Sequence, residues 1–163
     1  MDVVDSPHRV LAESIERLEA MPAFLEAAID ATARDDLASR PGAGEFSLVE
    51  HACHLRDLER EGYLVRVRRV LAEERPALES FDGAAVAAAR DYLRQDARTA
   101  AREFDAARRE LTRLLAALHG DDLRREASFG GRPVCLGDLI AMMVEHDRGH
   151  REEIERLVAG LGD

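Results

Sequence analysis

A chain of 163 residues is long enough to bury one real core and too short to require a second, so residues 1–163 are read as a single domain. Its 23 Lys and Arg against 33 Asp and Glu leave a formal charge of −10, which opposes a phosphate backbone and argues against nucleic acid as a partner. The opening Met-Asp-Val-Val-Asp is acidic where a secretory signal is basic, and no apolar run approaches the roughly 18 residues of a membrane span; the expectation is a cytoplasmic protein with no membrane partner.

The first helix is predicted to open with Ser6 as N-cap and Pro7 at its first position, and to carry Leu11, Ile15, Leu18, Leu25 and Ile29 at heptad-like spacing. Pro22 is expected to kink or divide it. The segment Arg40-Pro-Gly-Ala-Gly-Glu45 breaks the chain, and Ser47 with Glu50 then forms an S-x-x-E capping box. From there a second helix runs to about Glu74, with Leu48, His51, Leu55, Leu58, Gly62 and Val65 inward, and Pro76 ends it. The Ala-rich Phe81 to Tyr92 segment suggests a short helix or packed loop.

A third long helix carries Phe104, Ala107, Leu111, Leu114, Leu115 and Leu118 and is expected to stop at Gly120 as a left-handed terminator. Arginines alternating with acids from Arg102 to Arg113 read as its solvated face. Asp121 to Val134 reads as a loop turning at Gly130-Gly131-Arg132-Pro133, and a fourth helix runs from near Cys135 to about Leu157. With no alternating β-branched stretch, the chain is expected to be all-α, an antiparallel four-helix bundle. Cys53 and Cys135 form no Cys-x-x-Cys pair and cannot build a disulfide framework.

The chemistry concentrates on the second and fourth helices. His146 and His150 are one helical turn apart, in a stripe with Leu136, Leu139, Met143 and Leu157 that faces the core. The second helix offers His51 and His54, of which one faces the same seam. Three imidazoles from two helices of a bundle are a recurrent way to mount a divalent ion, and three protein ligands leave a position open for chemistry. Asp57, Glu61 and Glu153 are the carboxylates placed to orient an imidazole or move a proton. The spacing His146-x-x-x-His150 matches a metalloprotease helix, but Asp147 stands where its glutamate base would be, which argues against proteolysis.

The run Glu45-Phe-Ser-Leu-Val-Glu-His-Ala-Cys-His-Leu-Arg-Asp-Leu-Glu59, followed by Glu145-His-Asp-Arg-Gly-His150, resembles the ligand-bearing helices of the DinB-like (damage-inducible, YfiT-like) superfamily over nearly the whole chain. That resemblance implies a four-helix bundle holding a divalent metal, zinc or nickel, on His54, His146 and His150. It favours His54 over His51, and it implies an aromatic packed at Phe46, where relatives usually carry Trp. Glu153 stands where relatives often have Gln. The family includes low-molecular-weight-thiol S-transferases, an isomerase and metal-dependent hydrolases. The resemblance therefore implies a metal-dependent hydrolase or thiol S-transferase acting on a small-molecule substrate, with homodimers common. The alternative is a non-catalytic metal-binding or partner-binding helical module.

Overall fold

The computed structural model describes residues 7–161; the N-cap expected at Ser6 lies outside them. Helix α1 spans Pro7–Ala31 and runs through Pro22 without being divided. A proline at position 22 has no N–H for the carbonyl of residue 18. That carbonyl instead accepts a hydrogen bond from the Arg108 guanidinium at 2.7 Å, so the bond Pro22 forfeits is made by another helix.

Helix α2 spans Leu48–Asp57, and its capping box forms as expected: the Glu50 N–H reaches the Ser47 hydroxyl, and the Ser47 N–H donates to Glu50 Oε2 at 2.9 Å. A π turn over Leu58–Tyr63 joins it without a break to α3, Leu64–Ala72. This turn corrects the expected inward stripe. Val65 is 42% exposed, whereas Tyr63, Val67 and Val70 are buried. A π turn holds one residue more than an α turn, so the buried face passes from Leu58 to Tyr63, five positions on, and every later side chain slips by one.

The connection to the next long helix holds α4, Gly83–Ala89, a short helix capped by Asp82, which accepts from the Ala85 N–H at 3.0 Å. Helix α5 covers Ala97–Ala116, capped by Asp96. It stops before the expected terminator; Gly120 is not among the glycines at positive φ. Helix α6 covers Leu136–Leu161.

The chain is mostly helical, not purely so. Strands β1 (Ala77–Leu78), β2 (Glu126–Phe129) and β3 (Arg132–Cys135) form a small sheet in that order, β1 parallel and β3 antiparallel to β2. Much of the expected 121–134 loop is therefore a hairpin. Gly130 and Gly131, at φ 59° and 76°, supply the two left-handed positions a tight hairpin turn needs. Pro133 is tolerated because β3 is an edge strand.

Helix α1 packs on α5 and α6, and α2 packs on α5 and less extensively on α6, while α1 and α2 make no comparable contact. The apolar interior falls into two clusters. One gathers Leu18, Leu58, Val67, Leu111, Leu136 and Met143; the other gathers Leu25, Leu48, Leu55, Phe104, Ile154 and Leu157. The polar groups of the site lie at the level where each long helix passes from one cluster to the other. No helix among the described residues is long and apolar enough to cross a membrane.

Candidate metal centre

Helix α2 brings two imidazoles inward and α6 brings two more. His51 and His54 are 2% and 7% exposed, and the His150 side chain is 12% exposed. Ligand atoms of His54, His146 and His150 all lie within 4.8 Å of one another. The ring centroids of His146 and His150 are 4.3 Å apart, those of His54 and His150 4.9 Å. His150 Nε2 sits 3.1 Å from His146 Nε2, and its Nδ1 sits 3.0 Å from His51 Nδ1. Both histidines of α2 therefore reach the cluster.

Burial is the main force on these rings. It pulls the His54 pKa down to about 4 and those of His51 and His146 to about 3, with the charge His150 would carry adding to the effect; burial lowers His150 as well. All four are neutral near pH 7, the state that offers a lone pair to a metal. The buried Nδ1 atoms of His54 and His146 have no hydrogen-bond partner among the described residues. Each such orphan costs about 1–3 kcal/mol. A donor set of neutral imidazoles with unspent polar atoms fits a divalent ion.

The walls are specific. Phe46 packs its ring 5.6 Å from His51 and 5.5 Å from His54, and Phe81 lies 6.1 Å from His54. At Gly83, the first residue of α4, a Cβ would stand 2.6 Å from His54 Cε1 and 2.8 Å from its Nδ1. Only glycine lets α4 close over that ring. A half-open cavity of about 470 Å³ reaches the cluster at His51 and His150, and Phe46, Glu153 and Arg156 are also on its lining.

The three carboxylates singled out by spacing part company. Glu153 Oε2 lies 3.4 Å from His150 Nδ1. Asp57 is instead bound by Arg56, Arg90 and Tyr92, at 2.7, 2.8 and 2.6 Å. Burial works to raise its pKa, but those donors outweigh it and the net shift is downward. Glu61 is held by the same Arg90 at 2.7 Å. Neither is among the groups whose donor atoms converge.

Beneath the histidines lies a buried ionic group that sequence reasoning missed. Arg108, 1% exposed, donates to Glu59 at 2.7 and 2.9 Å and to Asp147 at 2.5 and 3.1 Å. It corrects the reading of Arg102 to Arg113 as a wholly solvated face. Asp147, next to His146, faces this arginine and acts as a tether between α6 and α5. Burial raises the Glu59 pKa despite Arg108; it works against the Arg108 charge too, but the two carboxylates hold that guanidinium's pKa above its ordinary value.

A bundle that converges neutral histidines from two helices around an accessible cavity has the makings of a metal-binding helical protein. The family model for the DinB superfamily matches residues 17–154, and the chain belongs to that superfamily. Among solved structures it is similar to YfiT from Bacillus subtilis, described as a probable metal-dependent hydrolase with an unusual four-helix bundle topology. The two share a TM-score of 0.88 and 22% identity, over 99% of this chain and 93% of that one. The likeness shows the fold. No curated protein matches the chain in sequence.

Proposed function

We propose that the protein is a metal-dependent enzyme of the hydrolase class, with His54, His146 and His150 as ligands to one divalent ion, zinc or nickel, and a small-molecule substrate entering through the cavity beside His150. The observation that carries this reading is the convergence within 4.8 Å of three neutral imidazoles, His54 buried and His146 and His150 half-buried, two of them with a buried, unpartnered nitrogen. The description of YfiT as a probable metal-dependent hydrolase supports the same class.

A bound ion would supply Lewis acidity toward a water or a low-molecular-weight thiol. The rest is work for this chain's own side chains. Burial keeps the imidazoles unprotonated, while Phe46 and Phe81 shield His54 from solvent. Glu153, half-exposed at the cavity beside His150, is the carboxylate able to accept a proton from an entering nucleophile. Asp57 and Glu61, committed to Arg56, Arg90 and Tyr92, serve instead to fix α2 against the segment after α4.

Elemental analysis of the purified protein beside His54→Ala and His146→Ala variants tests the site. Bound metal in the wild type and its loss in both variants is the expected result. Metal-loaded protein is then assayed on ester and amide panels, with and without added thiols. Hydrolysis that vanishes on chelation and returns with the ion supports the hydrolase reading; turnover only with thiol replaces it with S-transfer. A protein that takes up no zinc or nickel overturns both.

A further inference from the structure

A second set of three donors meets the same His150 ring from its other side. While Nε2 of His150 faces His146, its Nδ1 lies 3.0 Å from His51 Nδ1 and 3.4 Å from Glu153 Oε2. One ligand atom from each of His51, His150 and Glu153 fits within 4.8 Å. Donors on a tetrahedral ion with bonds of about 2.0–2.1 Å stand roughly 3.3 Å apart, close to the two contacts at His150 Nδ1. The ion contacts of Glu153 among the described residues are these two imidazoles, with no arginine or lysine. A carboxylate and two imidazole nitrogens therefore converge, and one ring proton serves at most one pair of them. A dication satisfies all three. The half-open cavity of about 470 Å³ gives access, with Glu45 and Arg156 also on its lining.

We infer that His51, His150 and Glu153 form a second divalent-cation position, bridged to the first through the two nitrogens of His150. This rests on the reading that His54, His146 and His150 hold the first ion. Filling the second position forms a bond from the ion to His150 Nδ1 and breaks the Nδ1–H bond. The proton leaves to solvent, and the imidazolate's charge is shared by the two ions. His51 offers Nδ1 and keeps its own proton on Nε2, 3.8 Å from Glu153. The doubly loaded protein thereby trades the proton-accepting role of Glu153 for ligation.

The test uses the full chain stripped of metal and titrated with Zn²⁺ by calorimetry, beside Glu153→Gln and His51→Phe. Glu153 is half-exposed, so its variant keeps the fold. Two equivalents in the wild type are expected, one in each variant, with the remaining affinity changed by less than about tenfold. With two equivalents of Cu²⁺, coupling through the bridging imidazolate should hold the electron paramagnetic resonance intensity well below two spins; Glu153→Gln should restore one full spin. One equivalent in the wild type that survives both substitutions overturns the second position and leaves the first standing. Two equivalents at full spin intensity overturn the bridge. No binding at all overturns the proposed function together with this inference.

Discussion

Arg108 is a charge without solvent, and four partners share it: Glu59, Asp147, the Leu18 carbonyl and, through its face, the Phe104 ring at 4.8 Å. Removing one member of a buried ion group leaves the others uncompensated, at about 3–5 kcal/mol. Arg108→Met is therefore expected to lower stability by an amount of that order in urea melts. Part of that cost is the lost bond to Leu18. Pro22→Ala restores an N–H at position 22, so the Arg108→Met cost should shrink by about 1 kcal/mol in that background; an unchanged cost would show the carbonyl contact to be incidental. The histidines set a pH response with a definite sign. An unfolded imidazole titrates near 6.5, whereas folding lowers His54 to about 4 and His51 and His146 to about 3. Between those values the unfolded chain binds protons that the fold refuses, so acid favours unfolding. The stabilisation is complete above about pH 6.5 and is lost as pH falls toward 4 and 3. Urea midpoints of the metal-free protein should drop between pH 7 and 5, before most carboxylates titrate. A flat midpoint over that window would contradict the neutral burial of these rings.

At the scale of elements, the π turn and α4 place what the site needs. If the extra residue of the π turn causes the slip that exposes Val65, deleting Glu61, which is exposed and bonded to Arg90, should close the turn to α geometry. Val67 and Val70 would stay buried. The deletion variant is expected to fold with unchanged helical circular dichroism, and its collapse would refute that account. At the N-terminus of α4, Gly83→Ala places a methyl 2.6 Å from His54 Cε1, in a pocket where Phe46 and Phe81 leave the ring little room. Metal affinity should fall at least tenfold with the helices intact; unchanged affinity would mean that α4 moves instead. The sequence discloses such elements unequally. The Ser47–Glu50 box and the His146–His150 pair were legible because each is settled within one helical turn. The register after Leu58 was not, because a stripe read at 3.6 residues per turn assumes an α-helix throughout. The hairpin was hidden by strands of four residues with a proline in one of them. His51 and His54 could not be separated by spacing, and in the fold both reach His150.

Across the whole molecule, one polar layer divides the interior. Each long helix changes clusters there: α1 between Leu18 and Met21, the α2–α3 rod between Leu55 and Leu58, α5 between Phe104 and Ala107, and α6 between Met143 and Ile154. Into that interval fall the Leu18 carbonyl, His146, Asp147 and His150, with Arg108 flanking the step on α5 and His54 and Glu59 flanking it on the α2–α3 rod. Hydrophobic attraction is weakest where apolar groups give way to imidazoles and carboxylates, so ionic bonds, and those of the proposed ion, would join the halves there. The Arg108 group ties α5 to α6 and to the π turn. An ion held as proposed by His54, His146 and His150 would tie α2 to α6, a contact far less extensive than that of α2 with α5. A ligand that binds only the fold stabilises it by about 2.7 kcal/mol at a hundred times its dissociation constant. Adding zinc to stripped protein should therefore raise Tm by several degrees, and hydrogen exchange should slow first in α2 and α6 near His54 and His146. Arg108→Met should lower Tm with or without the ion, because its partners are not the ligands. If zinc protected α5 and the sheet as strongly as α2 and α6, the ion would be acting on the bundle as a whole and the layered account would fail.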